Sequence, residues 1–348
     1  MDYILNGQGM GDVASTLIRN GMDPGVLRPF EAQDGRTYVT RNGIAVPVLN
    51  ATASLRRDDW IQIDRSVIKA AQPRLKAVSD LRSRGLEYTI PNGMGRITLD
   101  HEKMGDISDA AISMDGMRES KSDQPQFDLS SIPLPIIHKD FQLSARQVMA
   151  SRNGGSPLDT TGAELAGRKV AESAEKLLIG ALSTYTFGGG TIYGYKNFAS
   201  ALTRTITSPT ASGWSAATTL TEVLQMRQDA YDAYHYGPFV LYASPAWDVY
   251  MDADYSTQYP GVTLRQRIQN VEGIEVCRTL DYQGTGYTLI LVQMTSDVAR
   301  MLIGMEIQTV QWESKGGMQL NFKVMGILVP HLRADINGNT GIVYGSTA

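Results

Sequence analysis

The chain has 348 residues, 42% hydrophobic and 20% charged, with a formal net charge of −4 and a pI near 5.6. That length exceeds one ordinary core, so two or more core units are expected, and the mild acidity argues against a broad basic surface that grips nucleic acid. Cys277 stands alone, which excludes an intrachain disulfide and a cysteine zinc site; no run reaches 18 apolar residues and the start MDYILNGQGMGD lacks a basic lead, so neither secretion nor membrane spanning is expected.

Residues 1–56 are rich in Gly, Asn and Asp, with short apolar fragments such as Ile44–Leu49, and are expected to form an extended arm on neighbouring surface. Residues 57–85 form the next segment, and 58–84 of it read as an amphipathic helix with Trp60, Ile63, Val67, Ala71, Val78 and Leu81 on one side. Pro73 should kink or split it. From 57 to 84 there are seven Lys/Arg and four Asp, a net of +3.

Residues 86–137 change character. Leu86–Ile90 and Arg96–Leu99 are strand candidates around the turn Pro91-Asn92-Gly93. Asp100 to Ser131 then carries eight Asp/Glu against three Lys/Arg, a net of −5, before an apolar return over Ile132–Ile137. So long a loop is anomalous inside one compact domain, and a two-stranded excursion is marginal alone in water. Both difficulties vanish if the hairpin lies on another copy of the chain. Met104, Met114 and Met117 suit adaptable packing there.

Residues 138–218 hold an apolar entry (Phe141, Leu143), a Gly154-Gly155 turn and then a long small-residue helix over about 159–184. Asp159, Thr160 and Thr161 offer N-cap oxygens, and Thr161 with Glu164 fits a capping box. Ala163, Ala166, Val170, Ala174, Leu177 and Ala181 recur at helical spacing. So many alanines on one stripe imply that other backbone approaches closely. A glycine cluster at Gly188–Gly190 follows.

Residues 219–312 read as an α/β unit. Leu220, Val223, Leu224, Arg227, Tyr231 and Tyr234 share a helical face; Phe239–Tyr242 is a buried strand; 262–271 looks helical; Ile274–Cys277 and Tyr287–Gln293 look like strands. In 313–348, Met318, Leu320, Phe322 and Val324 alternate with polar residues, a half-buried strand that returns the chain to the long helix.

The order of these parts resembles the tailed-phage major capsid proteins of the Hong Kong 97 type and their cellular relatives, the encapsulin shells. Phe141, Leu143, Arg146, Arg152, Gly154, Asp159, Ala171, Glu172 and Glu175 sit where the strand, turn and spine helix of those families place such residues. Asp59–Asp64, running on through Leu75 and Arg82, looks like the encapsulin-type first helix with its tryptophan near the start. Leu220 to Ile268, with Ser244-Pro245, matches the downstream series. The resemblance spans residues 57–345.

It implies an α+β fold with an N-terminal arm, an E-loop hairpin over 86–137, a spine-helix P-domain and an α/β A-domain. It implies self-assembly through pentamers and hexamers into an icosahedral shell in the host cytoplasm. Portal, scaffold and cement proteins would be partners, and double-stranded DNA would be enclosed without sequence-specific binding. No membrane, metal or cofactor is implied. Contacts between copies are assigned to Trp60, Arg74, Lys76 and Arg82 on the helix and to Asp106, Asp109, Asp115, Arg118 and Lys121 in the hairpin. Asp254, Tyr255 and Tyr259 are assigned in the α/β unit. An encapsulin shell around a cargo enzyme is the alternative, and the 56 residues before the helix favour the viral branch.

A soluble nucleotide-dependent enzyme is the third reading, and its signals are weak. In Gly7-Gln8-Gly9-Met10-Gly11-Asp12 the third glycine of a dinucleotide loop is replaced by Asp12, whose charge would repel a pyrophosphate. Asp252 and Asp254 form an acid-x-acid pair with no companion nucleotide motif. His101, His138, His235 and His331 lack metal-binding spacing. His138 and Asp140 share a strand face, yet no G-x-S-x-G elbow occurs. These residues read as structural.

Overall fold

The computed structural model describes residues 30–31, 37–41, 44–47, 55, 57–104, 110, 112–114, 122, 124, 127–154, 158–256, 259–315 and 318–347. Within the first segment, β1 (Phe30–Glu31), β2 (Thr37–Arg41) and β3 (Ile44–Pro47) pair as an antiparallel meander. The expected arm therefore carries local sheet, and Tyr38 packs against the first helix cluster.

The amphipathic segment divides as Pro73 requires. α1 (Arg57–Ala71) passes through a 3-10 turn at Gln72–Arg74 into α2 (Lys76–Ser83). A proline ring fixes φ and cannot donate the backbone bond that would continue the α-helix. The six apolar residues read as one face are all buried.

β4 (Glu87–Thr89) departs from expectation. It does not pair with the hairpin but runs parallel to a long strand near residue 302. Asn92 takes a left-handed φ of 55°, which turns the chain sharply away. The hairpin proper is β5 (Thr98–Met104) and β6 (Phe127–Pro133), in unbroken antiparallel register from Thr98 opposite Pro133 to Met104 opposite Phe127. β7 (Ile137–Ser144) follows.

Gly154 of the expected Gly-Gly turn ends α3 (Ala145–Gly154), and Gly155 lies outside the described residues. The spine helix α4 spans Thr161–Ile179, shorter than expected at both ends. Its N-cap is Thr160, and no Thr161–Glu164 box forms; Asp159 Oδ1 accepts from Thr161 N at 3.0 Å instead. Gly180 ends the helix at φ 84°, leaving Ala181 exposed beyond the stripe. The close approach inferred from the small residues is present. A Cβ on Gly167 would lie 2.9 Å from Val67 Cγ1 and 3.1 Å from Val67 Cα, so α1 and α4 touch almost backbone to backbone.

β8 (Tyr185–Phe187) and β9 (Gly190–Ile192) form a small hairpin, and β10 (Leu202–Ile206) leads to α5 (Ala216–Asp232). The inward face of α5 is Leu220, Val223, Met226 and Ala230; Leu224 is partly exposed and Tyr234 lies past the helix end. β11 (Phe239–Ala243) is buried throughout, and α6 (Asp248–Met251) follows. β12 (Asp254–Ser256) and β13 (Tyr259–Thr263) form a two-stranded tip. The helix expected from 262 begins only at Leu264 as α7 (Leu264–Gln269), because Thr263 and Gln266 make a capping box. β14 (Ile274–Thr279) and β15 (Thr288–Gln293) complete the unit.

The sequence reading had no strand at 299–314, where β16 (Ala299–Ser314) pairs with β17 (Gln319–Leu332) in one long antiparallel ribbon. β18 (Ile342–Thr347) ends the described chain.

Two principal sheets result. One, in the order β4-β16-β17-β7, carries α1 and α4 on one face, with Trp60, Val67, Val170 and Phe322 in the shared core. The other, in the order β10-β18-β15-β11-β14, packs α5 and α7 on one face and the spine end with α2 on the other. β10 and β18 thus join the α/β sheet, although the sequence reading placed residues 202–206 and 342–347 with the spine unit. Strand pairing is a long-range contact that local pattern does not encode.

Candidate assembly surfaces

The hairpin is anchored at one end, and described apolar side chains farther out are exposed. Ile132 and Leu134 enter the core, Leu134 N donates to Ile97 O at 2.8 Å, and Gly190 lies against the Ser131 carbonyl where no side chain would fit. The Gly188–Gly190 cluster therefore seats the base of the hairpin. Farther out, Phe127 and Leu129 are 60% and 66% exposed, and Ile112 and Met114 are fully exposed. Apolar side chains uncovered on so extended an element mark an interaction surface. Asp106, Asp109, Asp115, Met117, Arg118 and Lys121 lie outside the described residues.

Four cations at the C-terminal end of the basic helical segment are paired within the chain, whereas Arg65 and Lys69 on α1 are exposed. Arg74 lies 4.0 Å from Glu172, Lys76 2.9 Å from Asp281, Arg82 2.7 Å from Glu306 and 3.6 Å from Glu87, and Arg84 2.5 Å from Glu275. The carboxylates that hold these four cations come from the spine, the α/β unit, β4 and β16. Trp60, expected at a contact between copies, is 5% exposed and meets Phe322 edge-on at 6.0 Å, while Phe322 stacks on Phe141 at 4.9 Å. The indole is a core anchor because β17 brings Phe322 beneath α1.

Glu175 fixes α2 to the spine. Its Oε1 accepts from Ala77 N at 2.6 Å and its Oε2 from Val78 N at 3.3 Å, satisfying two first-turn amides of α2. Burial pushes its carboxyl up to about 7, against the lowering effect of those two amides. Beside it, Asp80 accepts from Tyr242 Oη at 3.1 Å and pairs with Arg278 at 2.6 Å, which ties α2 to the α/β sheet. Nothing in the local sequence of α4 signals this bond, since Ala77 lies 98 positions away.

At the tip, Asp254 Oδ1 accepts from Gly261 N at 3.2 Å, and Tyr255 is half-buried against the Trp247 cluster. Tyr259 contributes backbone to β13, and its side chain lies outside the described residues. Asp252 and Asp254 do not converge on a common point: Asp252 and Asp248 both hold Arg265, at 2.8 and 2.9 Å. Among the described residues no group of three or more His, Cys, Asp or Glu could hold a metal ion. His138 and Asp140 share the solvent face of β7 at 3.8 Å, with Lys323 3.7 Å from Asp140. Cys277 is buried and its thiol is pushed up to about 11. No described helix is long and apolar enough to cross a membrane.

Comparison with known proteins agrees with this architecture. The structure is similar to a virus-like particle from Pyrococcus furiosus (15% identity, 82% of this chain and 99% of that one, TM-score 0.58). It is also similar to the capsid of Myoviridae phage XM1 (9% identity, 73% and 86%, TM-score 0.55). In sequence it is 26% identical over 199 residues to the type 1 encapsulin shell protein EncA of Myxococcus xanthus strain DK1622. That match covers 56% of this chain and 63% of EncA, less than two thirds of the relative's length. The model of the family of unknown function DUF6260 matches residues 50–345. The chain has the α+β fold of the Hong Kong 97 type and belongs to the DUF6260 family.

Proposed function

We propose that this chain is a major capsid subunit of the tailed-phage type, which assembles through pentamers and hexamers into a closed icosahedral shell around double-stranded DNA. The observation that carries the reading is the hairpin β5–β6, anchored at its base while Phe127 and Leu129 farther out stay exposed. A structural subunit needs such a reach, and an enzyme does not. Residues 86–137 act as the E-loop, the spine helix with β7, β16 and β17 as the P-domain, and the five-stranded sheet as the A-domain. Each contact between copies can be weak, since closure repeats it around the shell. Portal, scaffold and cement proteins would be its partners, and no catalysis is assigned.

An encapsulin shell enclosing a cargo enzyme is the second reading, favoured by the 26% match to EncA. Expression followed by negative-stain microscopy tests the shared part: closed particles or capsomers are expected, and a persistent monomer in the presence of its scaffold refutes it. The contents of particles from the native source separate the two readings, packaged DNA against a folded cargo protein.

A further inference from the structure

Arg74, Lys76, Arg82 and Arg84 are paired, but a second group of cations is not. Arg300 lies directly opposite His331 in the β16–β17 ladder, so both side chains stand on one face. Arg300 Nε donates to His331 Nδ1 at 3.0 Å. Arg333 follows His331 by two residues and continues that face, its own N–H bonded to Val298 O at 2.8 Å. From the hairpin, His101 meets His331 edge-on with ring centroids 4.4 Å apart, and Lys103 shares the face of His101.

Among the described residues no carboxylate lies within ion-pair distance of Arg300 or Arg333. Asp100 is on the other face of β5, hydrogen-bonded with Ser131, and Asp128 lies across from Lys103. His331 is fully buried, and neither its Nε2 nor His101 Nδ1 has a hydrogen-bond partner among the described residues. Burial and the surrounding cations push His101 down to about 4 and His331 to about 2, so both imidazoles are neutral at pH 7. Burial and Arg333 also hold Arg300 below its ordinary value. The Tyr88 ring, 5.1 Å from the Arg300 guanidinium and 43% exposed, offsets part of this and opens the cluster to solvent. Two guanidinium groups close enough to repel, one of them part-buried, are costly without a counter-charge.

We propose that Arg300 and Arg333, with His101 and Lys103 of β5, form a carboxylate-accepting site for the acidic hairpin segment of a neighbouring copy of this chain. The occupant follows from charge. Residues 100–131 carry eight acidic groups against three basic ones. Arg74, Lys76, Arg82 and Arg84 of the helical segment are already held by Glu172, Asp281, Glu306 and Glu275. Guanidinium groups take carboxylates in a bidentate fork, which fixes register as well as attraction. The site rests on the shell-subunit reading and names where one copy's hairpin is received by the next.

Arg333 is the residue to reverse, since its side chain makes no hydrogen bond or ion pair among the described residues. Assembly is followed by light scattering at low salt, with circular dichroism melting of the unassembled subunit as the folding control. Arg333→Glu is expected to slow assembly by about tenfold with an unchanged melting temperature, because charge acts mainly on encounter and register. Adding Asp106→Lys, Asp109→Lys and Asp115→Lys to the same chain should restore much of the rate, and Arg333→Lys should fall between wild type and Arg333→Glu, since the charge stays and the bidentate fork is lost. If wild-type protein forms particles and Arg333→Glu forms them at the same rate, the site is wrong while the shell reading stands. A slowing that the acidic reversals do not relieve, with wild-type assembly responding to inorganic phosphate, makes the occupant a free anion and overturns the proposal. Wild-type protein that forms no particles sinks the shell reading itself, and this site with it.

Discussion

Truncation of Trp60 to alanine removes an indole that is 5% exposed and packed between α1 and the β17 surface at Phe322. A buried aromatic side chain covers roughly 150–250 Å², which at about 25 cal/mol per Å² amounts to about 4–6 kcal/mol of transfer free energy. Trp→Ala changes in cores cost about 3–5 kcal/mol, since partial collapse recovers some contact. The Phe322–Phe141 stack, at 4.9 Å and 12° between planes, limits that collapse from below. Trp60→Ala should therefore lower the unfolding free energy of the unassembled subunit by about 3–5 kcal/mol, and Trp60→Phe by about half as much. Urea titration followed by far-UV circular dichroism measures this, with an unchanged slope required for the comparison. A loss below about 1 kcal/mol together with failed assembly would mean that Trp60 acts at a contact between copies, and the core assignment would fall.

Gly167→Val drives a branched side chain into Val67, so it should cost about 1–3 kcal/mol by overpacking, read as a lowered urea midpoint. Glu175 gives a pH dependence. Its folded carboxyl is raised from 4.5 to about 7, so the stability it contributes is full below pH 4.5 and is lost as pH rises through 7. Unfolding free energy should fall between pH 5 and 8, and Glu175→Gln should flatten that slope; an identical slope in the variant contradicts the assignment. Gly190→Val should push β9 off the Ser131 carbonyl and loosen the hairpin base. Hydrogen exchange should then rise at residues 127–133 and stay unchanged in β11 and β15.

Periodicity fixed much of the local structure. The apolar face from Trp60 to Leu81, the break at Pro73, the alanine stripe of α4 and the buried run of β11 are all legible, because each is a local pattern with a local physical cause. Even the close approach of α1 and α4 could be inferred from small residues alone. The ends of elements were less legible. Thr263 moved a helix start and Asn92 turned β4 away from the hairpin, both through a single backbone or capping choice. What only the tertiary structure decided is who pairs with whom. The carboxylates that occupy Arg74, Lys76, Arg82 and Arg84 come from residues 87, 172, 275, 281 and 306. Phe322 reaches Trp60, Glu175 caps α2, and β18 enters the α/β sheet across comparable distances in sequence. Net charge along a segment therefore does not tell which cations find a carboxylate within the chain. Coulomb attraction, strand pairing and packing act through space, and a linear pattern carries no record of which distant groups will satisfy one another.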